Sequence, residues 1–586
     1  MSMDGVIVGI DLGTTNSEVA VVRDGRVEVI PVSGNSRILP SVVGIGDSGT
    51  LLVGEAARNQ YILHPERTVR SIKRRMGEFG KVAMGENQYT PQEISAMILA
   101  RLKQAAEAHL GQTVGKAVIT VPAFFSDAQR QATREAGEIA GLEVVRILNE
   151  PTAAALSYEK RLDSARKLLV YDLGGGTFDV SIVNIEGEVV EVLASHGNNH
   201  LGGDDFDRKI VDRALEHLEG LHKTDFRGMP TVMARLQRAA EEAKIALSSA
   251  PFVTLSEEYL SEKDGVPVHL SLEISRTDYE EMIGDYIDET MNAVHIAIRN
   301  ARLSVSEIDE ILLVGGSTRT PLIVRRLTED LGKVPRFEVD PDLCVAMGAA
   351  IQASLIAGTG APRVLVDVTP YTFGISVLGY LPDGMEYPKC FAPLIRKNSP
   401  IPVSKSEVFT TSHDGQTEVE ITVYQGEHPD ALENIEIGQF LVTGLRPLPQ
   451  GENLVIVSFS LDLDGLLRVT AREKETGLEC SIDIERTIAP LGQEELDRSR
   501  ERIVGLIGEG SGKFAEGAAP GSSALSERIR SLRERADRLL AGSLDGEDRE
   551  DLIERVSGMI DQADGPEEEL LKAAGDLEDL LFYLEA

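Results

Sequence analysis

The sequence predicts a multidomain chain in which an α/β domain precedes an antiparallel β domain and a small helical bundle. Three observations support this order. Strand and helix patterns alternate over the first 360 residues, helix patterns vanish for over a hundred residues after Pro362, and they return near residue 491. A length of 586 residues accommodates about four folding units of roughly 150 residues each.

The α/β domain is predicted for residues 1–362 from the spacing of its apolar side chains. Residues 91–110 carry apolar side chains at helical spacing, and the helix-forming segment 127–140 follows a buried-strand run at 117–121. Alternation of this kind is typical of an α/β fold.

One motif occurs twice in this domain, and each copy predicts a β-hairpin with a glycine turn. Residues 10–15 read IDLGTT and precede the apolar run 19–22, while residues 171–177 read YDLGGGT and precede the run 180–183. Because the two copies share the same order of strand, turn and strand, they predict two related lobes.

The C-terminal part is predicted from a change of pattern. Residues 363–368 form a short apolar segment that reads as an interdomain linker, and residues 369–490 contain alternating strands with Asp-Gly turns. Residues 491–586 carry three apolar stripes at helical spacing, with a flexible break rich in Gly, Ala and Ser at 508–523.

Composition excludes several classes of protein. The net charge is −36, which disfavours binding to nucleic acid or to an anionic membrane surface. Cys344, Cys390 and Cys480 are widely spaced, so neither a disulfide framework nor a zinc site is predicted. The sequence shows neither a signal-peptide pattern nor an apolar run long enough to span a membrane, so we expect a cytoplasmic protein.

The glycine turns carry the residue types that a nucleoside triphosphate and Mg²⁺ require. Glycine lets backbone N–H groups approach phosphate, carboxylates hold the cation through its waters, and hydroxyls can lie near the γ-phosphate. One such hairpin alone is more typical of an ordinary turn. Two copies, with a third glycine element at 314–319 after an apolar strand, predict a nucleotide site. Neither a P-loop nor a dinucleotide-binding fingerprint is present.

These segments resemble the 70-kDa heat-shock chaperones of the DnaK type. The resemblance rests on IDLGTTNS at 10–17, VYDLGGGTFDVSI at 170–182, HLGGDDFD at 200–207, LLVGGSTRTP at 312–321 and DGLLRVTA at 464–471. It covers residues 5–490. It implies an actin-like ATPase domain of two duplicated lobes, an antiparallel β-sandwich that binds extended apolar peptides, and a helical lid. It also implies a cytoplasmic protein of the bacterial type.

The resemblance also implies roles for residues of the ATPase domain. The catalytic residues would be Lys73, Glu150, Asp172, Thr177 and Asp179, and Asp11 and Asp172 would hold Mg²⁺ through water. ATP or ADP would be bound by Asp11, Gly13, Thr14, Thr15, Gly174, Gly175, Gly176, Gly202, Gly203, Glu241, Lys244, Ser248, Gly315, Gly316, Ser317, Arg319 and Asp342. Thr177 also matches an autophosphorylated residue, and K⁺ is a further candidate cation. In isolation, Lys73 would read as a solvated surface residue and Glu150 as a helix cap.

The resemblance places a peptide groove in the β domain. The residues concerned are Phe373, Ile375, Leu378, Phe409, Ser412, Val419, Ile421 and Leu466, of which Leu378 and Ser412 would arch over the peptide. From pattern alone, the apolar members of this set are more typical of the core of a β-sandwich. Arg146, Asn149 and Asp367 match the face that receives a J-domain cochaperone.

The implied function is that of an ATP-dependent molecular chaperone for unfolded proteins. ATP would dock the 363–368 linker on the ATPase domain and open the lid, and slow hydrolysis would release the linker and trap the peptide. The implied partners are extended apolar peptides, a J-domain cochaperone and a nucleotide-exchange factor of the GrpE type.

Three departures from the family pattern are present. The stretch between Met76 and Tyr89 is short, residues 379–395 are longer than the family's hairpin, and residues 508–523 replace part of a long charged helix. The last residues do not match an EEVD-like tail, so helpers that read such tails are not expected.

Other functions remain compatible with parts of the sequence. A chaperone specialised for one client, such as an iron–sulfur scaffold, fits the same motifs. A metabolite kinase or a filament protein could share an actin-like fold, since fold alone does not determine function. Residues 363–586 disfavour a small-molecule kinase, which needs no linker, β domain and helical bundle. The net charge of −36 and the long C-terminal part disfavour the dense packing of a filament.

Overall fold

The computed structural model describes residues 6–47, 49–158, 165–336, 340–360, 363–380, 384–483 and 492–509, together with Leu552, Arg555 and Val556. The chain divides into two compact units, residues 1–515 and 516–586. Most of the predicted break at 508–523, and nearly all of the apolar stripes of the C-terminal bundle, lie outside the described residues. The elements named below belong to the first unit.

The first lobe is a mixed β-sheet flanked by helices. Its strands are β1 (Ile7–Leu12), β2 (Asn16–Arg23), β3 (Arg26–Val29), β4 (Leu39–Pro40), β5 (Val42–Ile45), β6 (Leu51–Val53), β7 (Thr68–Arg70), β8 (Val82–Met84), β9 (Asn87–Tyr89), β10 (Lys116–Val121) and β11 (Glu143–Asn149). Its helices are α1 (Glu55–Tyr61), α2 (Pro91–Leu110), α3 (Asp127–Ile139) and α4 (Glu150–Ser157). The main sheet has the order β11-β10-β1-β2-β3.

Helix α2 begins and ends where its sequence dictates. Thr90 accepts a hydrogen bond from the backbone of Glu93, whose carboxylate accepts one from the backbone N–H of Thr90 at 2.9 Å. Pro91 occupies the first turn, where its missing N–H costs nothing, and Gly111 ends the helix in the left-handed conformation at φ 67°. The helix predicted at 91–110 is therefore confirmed.

The second lobe repeats the architecture of the first. Its strands are β12 (Arg166–Leu173), β13 (Phe178–Glu186), β14 (Val189–Asn198), β15 (Phe252–Lys263), β16 (Val266–Ser275) and β17 (Glu310–Val314). Its helices are α5 (Gly203–His222), α6 (Pro230–Leu247), α7 (Arg276–Asn300), α8 (Pro321–Leu331) and α9 (Cys344–Ile356). None of the helices in the described ranges is long and apolar enough to cross a bilayer.

The strand order confirms the duplication predicted from the two glycine hairpins. In the first sheet β1 pairs in parallel with β10 and antiparallel with β2, which pairs antiparallel with β3. In the second sheet β12 pairs in parallel with β17 and antiparallel with β13, which pairs antiparallel with β14. The glycine turns β1–β2 and β12–β13 therefore occupy equivalent places in the two lobes.

Helix α9 packs closely against both β1 and α4. A Cβ atom placed on Gly348 would lie 1.7 Å from the carbonyl oxygen of Ala153, and one on Gly9 would lie 2.1 Å from the backbone nitrogen of Ala350. Only glycine allows these backbones to approach so closely. The two lobes are therefore joined by backbone packing at the base of the cleft between them.

The C-terminal part of the first unit is a β-sandwich with a helix after it. Its elements are β18 (Val364–Val368), β19 (Phe373–Tyr380), β20 (Glu386–Ile395), β21 (Pro400–Ile401), β22 (Val403–Thr410), β23 (Glu418–Gln425), β24 (Ile435–Thr443), β25 (Leu454–Leu461), β26 (Leu467–Glu473), β27 (Glu479–Asp483) and α10 (Gln493–Glu509). The sheets β20-β19-β23-β24 and β22-β25-β26-β27 enclose one apolar core.

Strand β18 lies within the segment predicted as the linker, and it pairs on both sides. It runs parallel to β14, with Val364 opposite Val189, and antiparallel to β21, with Asp367 opposite Ile401. The sheet of the second lobe thereby continues as β17-β12-β13-β14-β18-β21.

Helix α10 is docked on the first lobe. Ile503 is 1% exposed and belongs to the apolar core of that lobe. Ser499 Oγ donates a hydrogen bond to Glu93 Oε1 at 3.1 Å, and the guanidinium of Arg502 lies 4.1 Å from the centre of the Tyr89 ring. The apolar, polar and cation–π contacts together hold the first helix after the β-sandwich against α2 and α3.

We predict that Gly348→Ala destabilises the protein, because the added methyl group would overlap the carbonyl of Ala153. The expected loss is about 1–3 kcal/mol in the free energy of unfolding, measured by urea denaturation. Gly220→Ala in α5 is the matched control, since no atom lies within 4 Å of the added Cβ. The control should raise stability by about 0.5–1 kcal/mol. Equal stability of the two variants would contradict the close packing of α4 and α9.

Candidate functional site

A cavity of about 350 Å³ opens between the two lobes, where the glycine hairpins face each other. Both hairpins, the third glycine element and one face of α6 contribute to its wall. The predicted residues that line it are Asp11, Gly13, Thr14, Thr15, Lys73, Glu150, Asp172, Gly174, Gly175, Thr177, Glu241, Lys244, Ser248, Gly315, Gly316, Ser317, Arg319 and Asp342. The structure therefore brings together most of the residues that were singled out from six separate parts of the sequence.

The glycines of these turns are required by close backbone approach. A Cβ atom on Gly175 would lie 1.8 Å from Thr15 Oγ1, across the cleft in the other hairpin. Gly315 has φ 80°, and a Cβ there would lie 2.4 Å from the carbonyl oxygen of Leu173. Larger residues would separate the hairpins and fill the space in which backbone N–H groups can reach phosphate.

Several predicted residues lie just behind the cavity wall. Gly203 donates its backbone N–H to the carbonyl of Gly174 at 3.0 Å, and a Cβ on Gly202 would lie 2.5 Å from the backbone of Gly175. Gly176 and Asp179 are likewise absent from the lining. Gly176, Gly202 and Gly203 support the wall by close backbone packing.

A buried ion pair lies at the floor of the cavity. Lys73 Nζ donates to Glu150 Oε1 at 2.5 Å, and both side chains are almost fully buried. Burial alone lowers the pKa of Lys73, but the charges of Glu150 and Asp11 outweigh it and leave that pKa raised. Lys73 is therefore held as a cation beside the carboxylates.

Three aspartates surround this pair, and burial raises the pKa of each. The pKa of Asp11 rises to about 7, through burial and then through repulsion by Glu150, although Thr120 donates to Asp11 Oδ1 at 2.7 Å. Burial, followed by the charge of Glu150, also raises the pKa of Asp172 and of Asp179 well above the usual value. The site concentrates negative charge that a cation would relieve.

These carboxylates suit a hydrated divalent cation with phosphate. Asp172 Oδ2 and Asp179 Oδ1 are buried and have no hydrogen-bond partner among the described residues. In the same part of the chain, no three His, Cys, Asp or Glu side chains converge closely enough to enclose a metal ion by themselves. Mg²⁺ commonly retains several waters and binds through one or two carboxylates and substrate phosphates. The residues present therefore fit Mg²⁺ bound together with a nucleotide.

The opposite end of the cavity is formed by α6 and the loop after β17. Lys244 Nζ lies 2.9 Å from Asp207 Oδ1 and donates to the carbonyl of Gly203 at 3.2 Å. Arg319 pairs with Asp342 at 2.8 Å, and the exposed side chain of Ile245 lines the rim. A planar, partly apolar group could lie between Arg319 and Ile245, as expected for an adenine base.

Polar contacts close the cleft between the lobes. Ser71 Oγ donates to Asp204 Oδ2 at 2.6 Å, and Arg74 forms an ion pair with Asp205. At the cleft rim, Glu241 lies 3.7 Å from Arg58 and 3.6 Å from Arg70. Opening the cleft would break all of these contacts. Sequence reasoning assigned Glu241 to the nucleoside pocket and missed its pairing across the cleft.

Glu18 is a cavity residue that sequence reasoning missed. It lies opposite Asp11 in the β1–β2 pairing, is 2% exposed and lines the cavity. Burial raises its pKa well above the usual value, and the nearby charges of Asp11 and Asp342 raise it further. Glu18 directly precedes the apolar run 19–22, and this position was the available signal, because a carboxylate next to a buried strand is tolerated only beside a polar site.

Arg146, Asn149 and Asp367 meet where the linker strand contacts the first lobe. Asn149 Nδ2 donates to Asp367 Oδ2 at 2.8 Å. Arg146 pairs at 3.4 Å with Asp464, whose carboxylate also pairs with Arg134 and accepts from the backbone N–H of Ile147 at 3.0 Å. The Asp-Gly turn at 464–465, predicted only as a hairpin turn, thus also connects the β-sandwich to β11 and α3.

The predicted groove residues divide into buried and exposed sets. Phe373, Ile375 and Ile421 are buried in the core between the two sheets, Phe409 and Val419 are half-buried against it, and Leu466 is buried at 5% exposure. Leu378 and Ser412, the residues predicted to arch over a peptide, are exposed. Most of the apolar set therefore also packs the sandwich, which is the role that pattern alone favours.

We predict that Asp11→Asn stabilises the nucleotide-free protein, and increasingly so as the pH rises. The pKa of Asp11 is about 7 in the fold, above its unfolded value near 4, so the protonated form favours folding at low pH. That contribution to stability is lost as the pH rises through about 7, where Asp11 ionises in the fold. The asparagine variant has no buried carboxylate at this position, so its stability does not fall in this way.

The expected gain for Asp11→Asn is about 1–3 kcal/mol at pH 8 and smaller at pH 5, measured by urea denaturation. Asp212→Asn, at an exposed position of α5, is the control and should shift stability by less than about 0.5 kcal/mol at both pH values. A gain that is independent of pH would contradict the raised pKa of Asp11.

Comparison with known proteins agrees with this site. Residues 7–568 match the family described as Hsp70 protein. The chaperone protein DnaK of Thermotoga neapolitana is 52% identical over 491 residues, which cover 81% of this chain and 80% of that protein, and that of Thermotoga maritima gives the same values. The chaperone protein DnaK of Thermosipho africanus is 48% identical over 518 residues, which cover 85% of each chain.

The match extends over both lobes, the linker strand and the β-sandwich, and so includes every element that forms the cavity. It confirms the resemblance inferred from the glycine hairpins and from the β-domain motifs. The chain belongs to the Hsp70 protein family.

Proposed function

We propose that this chain acts as an ATP-dependent molecular chaperone in which the occupancy of the interlobe cavity controls a peptide groove in the β-sandwich. Members of its family are ATPases and chaperones, and the chain shares that general activity. The observation that carries the proposal is β18, since one strand pairs with the sheet that bears a cavity hairpin and with the β-sandwich.

In the cavity, Lys73 and the glycine turns would bind the phosphates of ATP. Asp11 and Asp172 would hold Mg²⁺ through its waters, and the cation would neutralise phosphate charge. Asp179 accepts a hydrogen bond from the backbone N–H of Ala123 at 2.8 Å through Oδ2, which leaves Oδ1 for a water. Glu150 and Asp179 are proposed to orient the attacking water, and Thr177 to contact the γ-phosphate.

At the nucleoside end, Glu241, Lys244 and Ser248 lie on one face of α6 and its C-terminal cap, as one-sided contact with a nucleoside requires. Ser317 Oγ donates to the carbonyl of Gly174 at 2.9 Å and so joins the third glycine element to the second hairpin. We propose that adenosine binds here, and that K⁺ is a further candidate cation beside the phosphates.

The arrangement of β18 and α10 corresponds to the state expected with ATP. The linker strand is docked, and α10 is held on the first lobe by Ile503 and Arg502. Hydrolysis would release both elements and trap an extended apolar peptide in the groove. Coupling of this kind is reciprocal, so a peptide that favours the released state would also promote hydrolysis.

Two partner classes follow from surfaces of this state. A J-domain cochaperone is proposed to bind near Arg146, Asn149 and Asp367, where it would act on the linker directly. An exchange factor of the GrpE type is proposed to open the cleft, which requires breaking the pairs of Glu241 with Arg58 and Arg70. The domain boundaries at 362, 368 and 490, and the cytoplasmic location, stay predictions.

The first test of this function is ATP turnover by the full chain, alone and with a J-domain protein and an apolar peptide. Slow turnover that both additions accelerate is expected, and turnover that responds to glycerol or glucose instead would contradict the proposal. Asp179→Asn should leave ATP affinity within about threefold and slow hydrolysis at least about tenfold, because it removes a water-orienting carboxylate. Unchanged hydrolysis in this variant would remove Asp179 from the mechanism.

A second prediction concerns the contact between the β-sandwich and the first lobe. Asp464→Asn removes the charge that pairs with Arg134 and Arg146, so the docked state should be destabilised. Release of a fluorescent peptide on addition of ATP should slow at least about fivefold. This corresponds to a loss of about 1 kcal/mol or more in the free energy that couples the nucleotide site to the peptide site. Asp414→Asn, at the Asp-Gly turn 414–415, is the control and should release peptide at the normal rate. Normal release from Asp464→Asn would show that this contact does not transmit the nucleotide state.

A further inference from the structure

The loop at 122–125 connects β10 with α3 and lies against the carboxylate of Asp179. The backbone N–H of Ala123 donates to Asp179 Oδ2 at 2.8 Å. Burial and the charge of Glu150 raise the pKa of Asp179, and hydrogen bonds from the backbone of Ala123 and Phe124 oppose this rise. The position of the loop therefore helps to fix the carboxylate that is proposed to orient the attacking water.

Tyr371 contacts this loop from beyond the linker strand. It lies between β18 and β19, and its Oη donates to the carbonyl of Phe124 at 2.6 Å. The two rings also pack together, with their centroids 4.8 Å apart. One residue of the loop is thus held on its carbonyl side by Tyr371, next to the N–H groups that face Asp179.

Other contacts of the loop lie within the two lobes. Asn199 Nδ2 also donates to the carbonyl of Phe124, at 2.7 Å, and Arg130 donates to the carbonyl of Ala123 at 3.1 Å. Asn199 and Arg130 belong to the lobes, so their contacts would remain after release of the linker strand. The contact of Tyr371 requires docking, because this residue follows the linker strand in the chain and would leave with it.

The hydroxyl of Tyr371 is suited to a lasting hydrogen bond. Burial raises its pKa, and the charge of Asp179 raises that pKa further, so the phenol stays a neutral donor. A hydrogen bond of this kind typically shifts an equilibrium by about twofold to tenfold.

The direction of the effect follows from linkage. A peptide that favours the released state promotes hydrolysis only if the docked state hydrolyses ATP more slowly. Contacts that exist only in the docked state, and that reach the hydrolysis site, must therefore oppose hydrolysis. The hydrogen bond of Tyr371 meets both conditions, because it joins the segment after the linker strand to the loop that holds Asp179.

We propose that Tyr371 is a positioning residue that restrains the loop at 122–125 and Asp179 while the linker strand is docked, and so keeps ATP hydrolysis slow until a peptide releases the strand. This inference rests on the proposed chaperone function. It adds to that function the hydroxyl group through which the docked β-sandwich acts on the hydrolysis site.

The test is Tyr371→Phe, which removes the hydroxyl and keeps the ring. Single-turnover hydrolysis is measured on the full chain loaded with ATP and Mg²⁺, without peptide and with a saturating apolar peptide. Without peptide, the variant should hydrolyse ATP at least about threefold faster than wild type, as expected for the loss of one hydrogen bond. With saturating peptide the two rates should agree within about 1.5-fold, because the contact is then broken in both proteins. ATP affinity should stay within about twofold.

The matched control is Tyr387→Phe, which removes a hydroxyl that donates towards the carboxylate of Asp430 within the β-sandwich, with its two oxygens at 3.0 and 2.9 Å. It should hydrolyse ATP as wild type does in both conditions.

Three results for Tyr371→Phe would overturn the restraint alone. Slower hydrolysis without peptide would show that Tyr371 supports the hydrolytic position of Asp179 instead of opposing it. An unchanged rate, or an increase that persists at saturating peptide, would separate Tyr371 from the docked state. A weaker affinity for ATP would indicate a general structural role. If wild-type hydrolysis does not respond to peptide, the proposed coupling and the restraint both fail.

Discussion

The backbone pairing of β18 is the interaction on which the described arrangement depends. The five residues of β18 lie between β14 and β21, so the sheet of the second lobe extends to a strand whose Ile401 belongs to the sandwich core. The side-chain contacts of Asp367 with Asn149 and of Asp464 with Arg134 and Arg146 surround that strand. The ion pairs of Asp464 are largely buried, with its side chain 15% exposed, so part of their attraction is offset by the loss of hydration. The backbone ladder gives them a common geometry, so they form and break together.

The buried carboxylates of the cavity repel one another, and they destabilise the folded protein when no ligand is bound. Asp11, Asp172 and Asp179 are buried near Glu150, and each has a raised pKa for that reason. Lys73 offsets only part of this repulsion. Such a site gains the most from a bound cation and phosphate, since the charges that destabilise the empty protein become favourable contacts in the complex. The glycine hairpins bring this set of charges together, and α9 packs the two lobes closely enough to keep it buried.

Much of this site could be predicted from sequence because its signals are local. The glycine hairpins, the capping box that starts α2 and the alternating strands of the β domain each involve residues within a few positions of one another. The contacts that were missed join distant positions, as with Arg74 to Asp205 or Asp464 to Arg134. No spacing rule relates such residues. Glu18 was missed for another reason. A strand pattern can flag a polar residue beside an apolar run, but it cannot show which residues lie next to it in the folded protein. The groove residues were ambiguous because Phe373 and Ile421 pack the sandwich core whether or not a peptide binds.

The position of β18 also affects how easily the protein could aggregate, because β18 covers two sheet edges. Whenever this strand leaves, β14 and β21 each lose a neighbour and become bare sheet edges, which are templates for pairing with any extended chain. Glu191 lies on β14 opposite Val366, at one end of the three-residue pairing that would be uncovered. A carboxylate at that point makes pairing with a foreign apolar strand unfavourable. The chain thus has an acidic residue at the sheet edge where a foreign strand could otherwise replace β18.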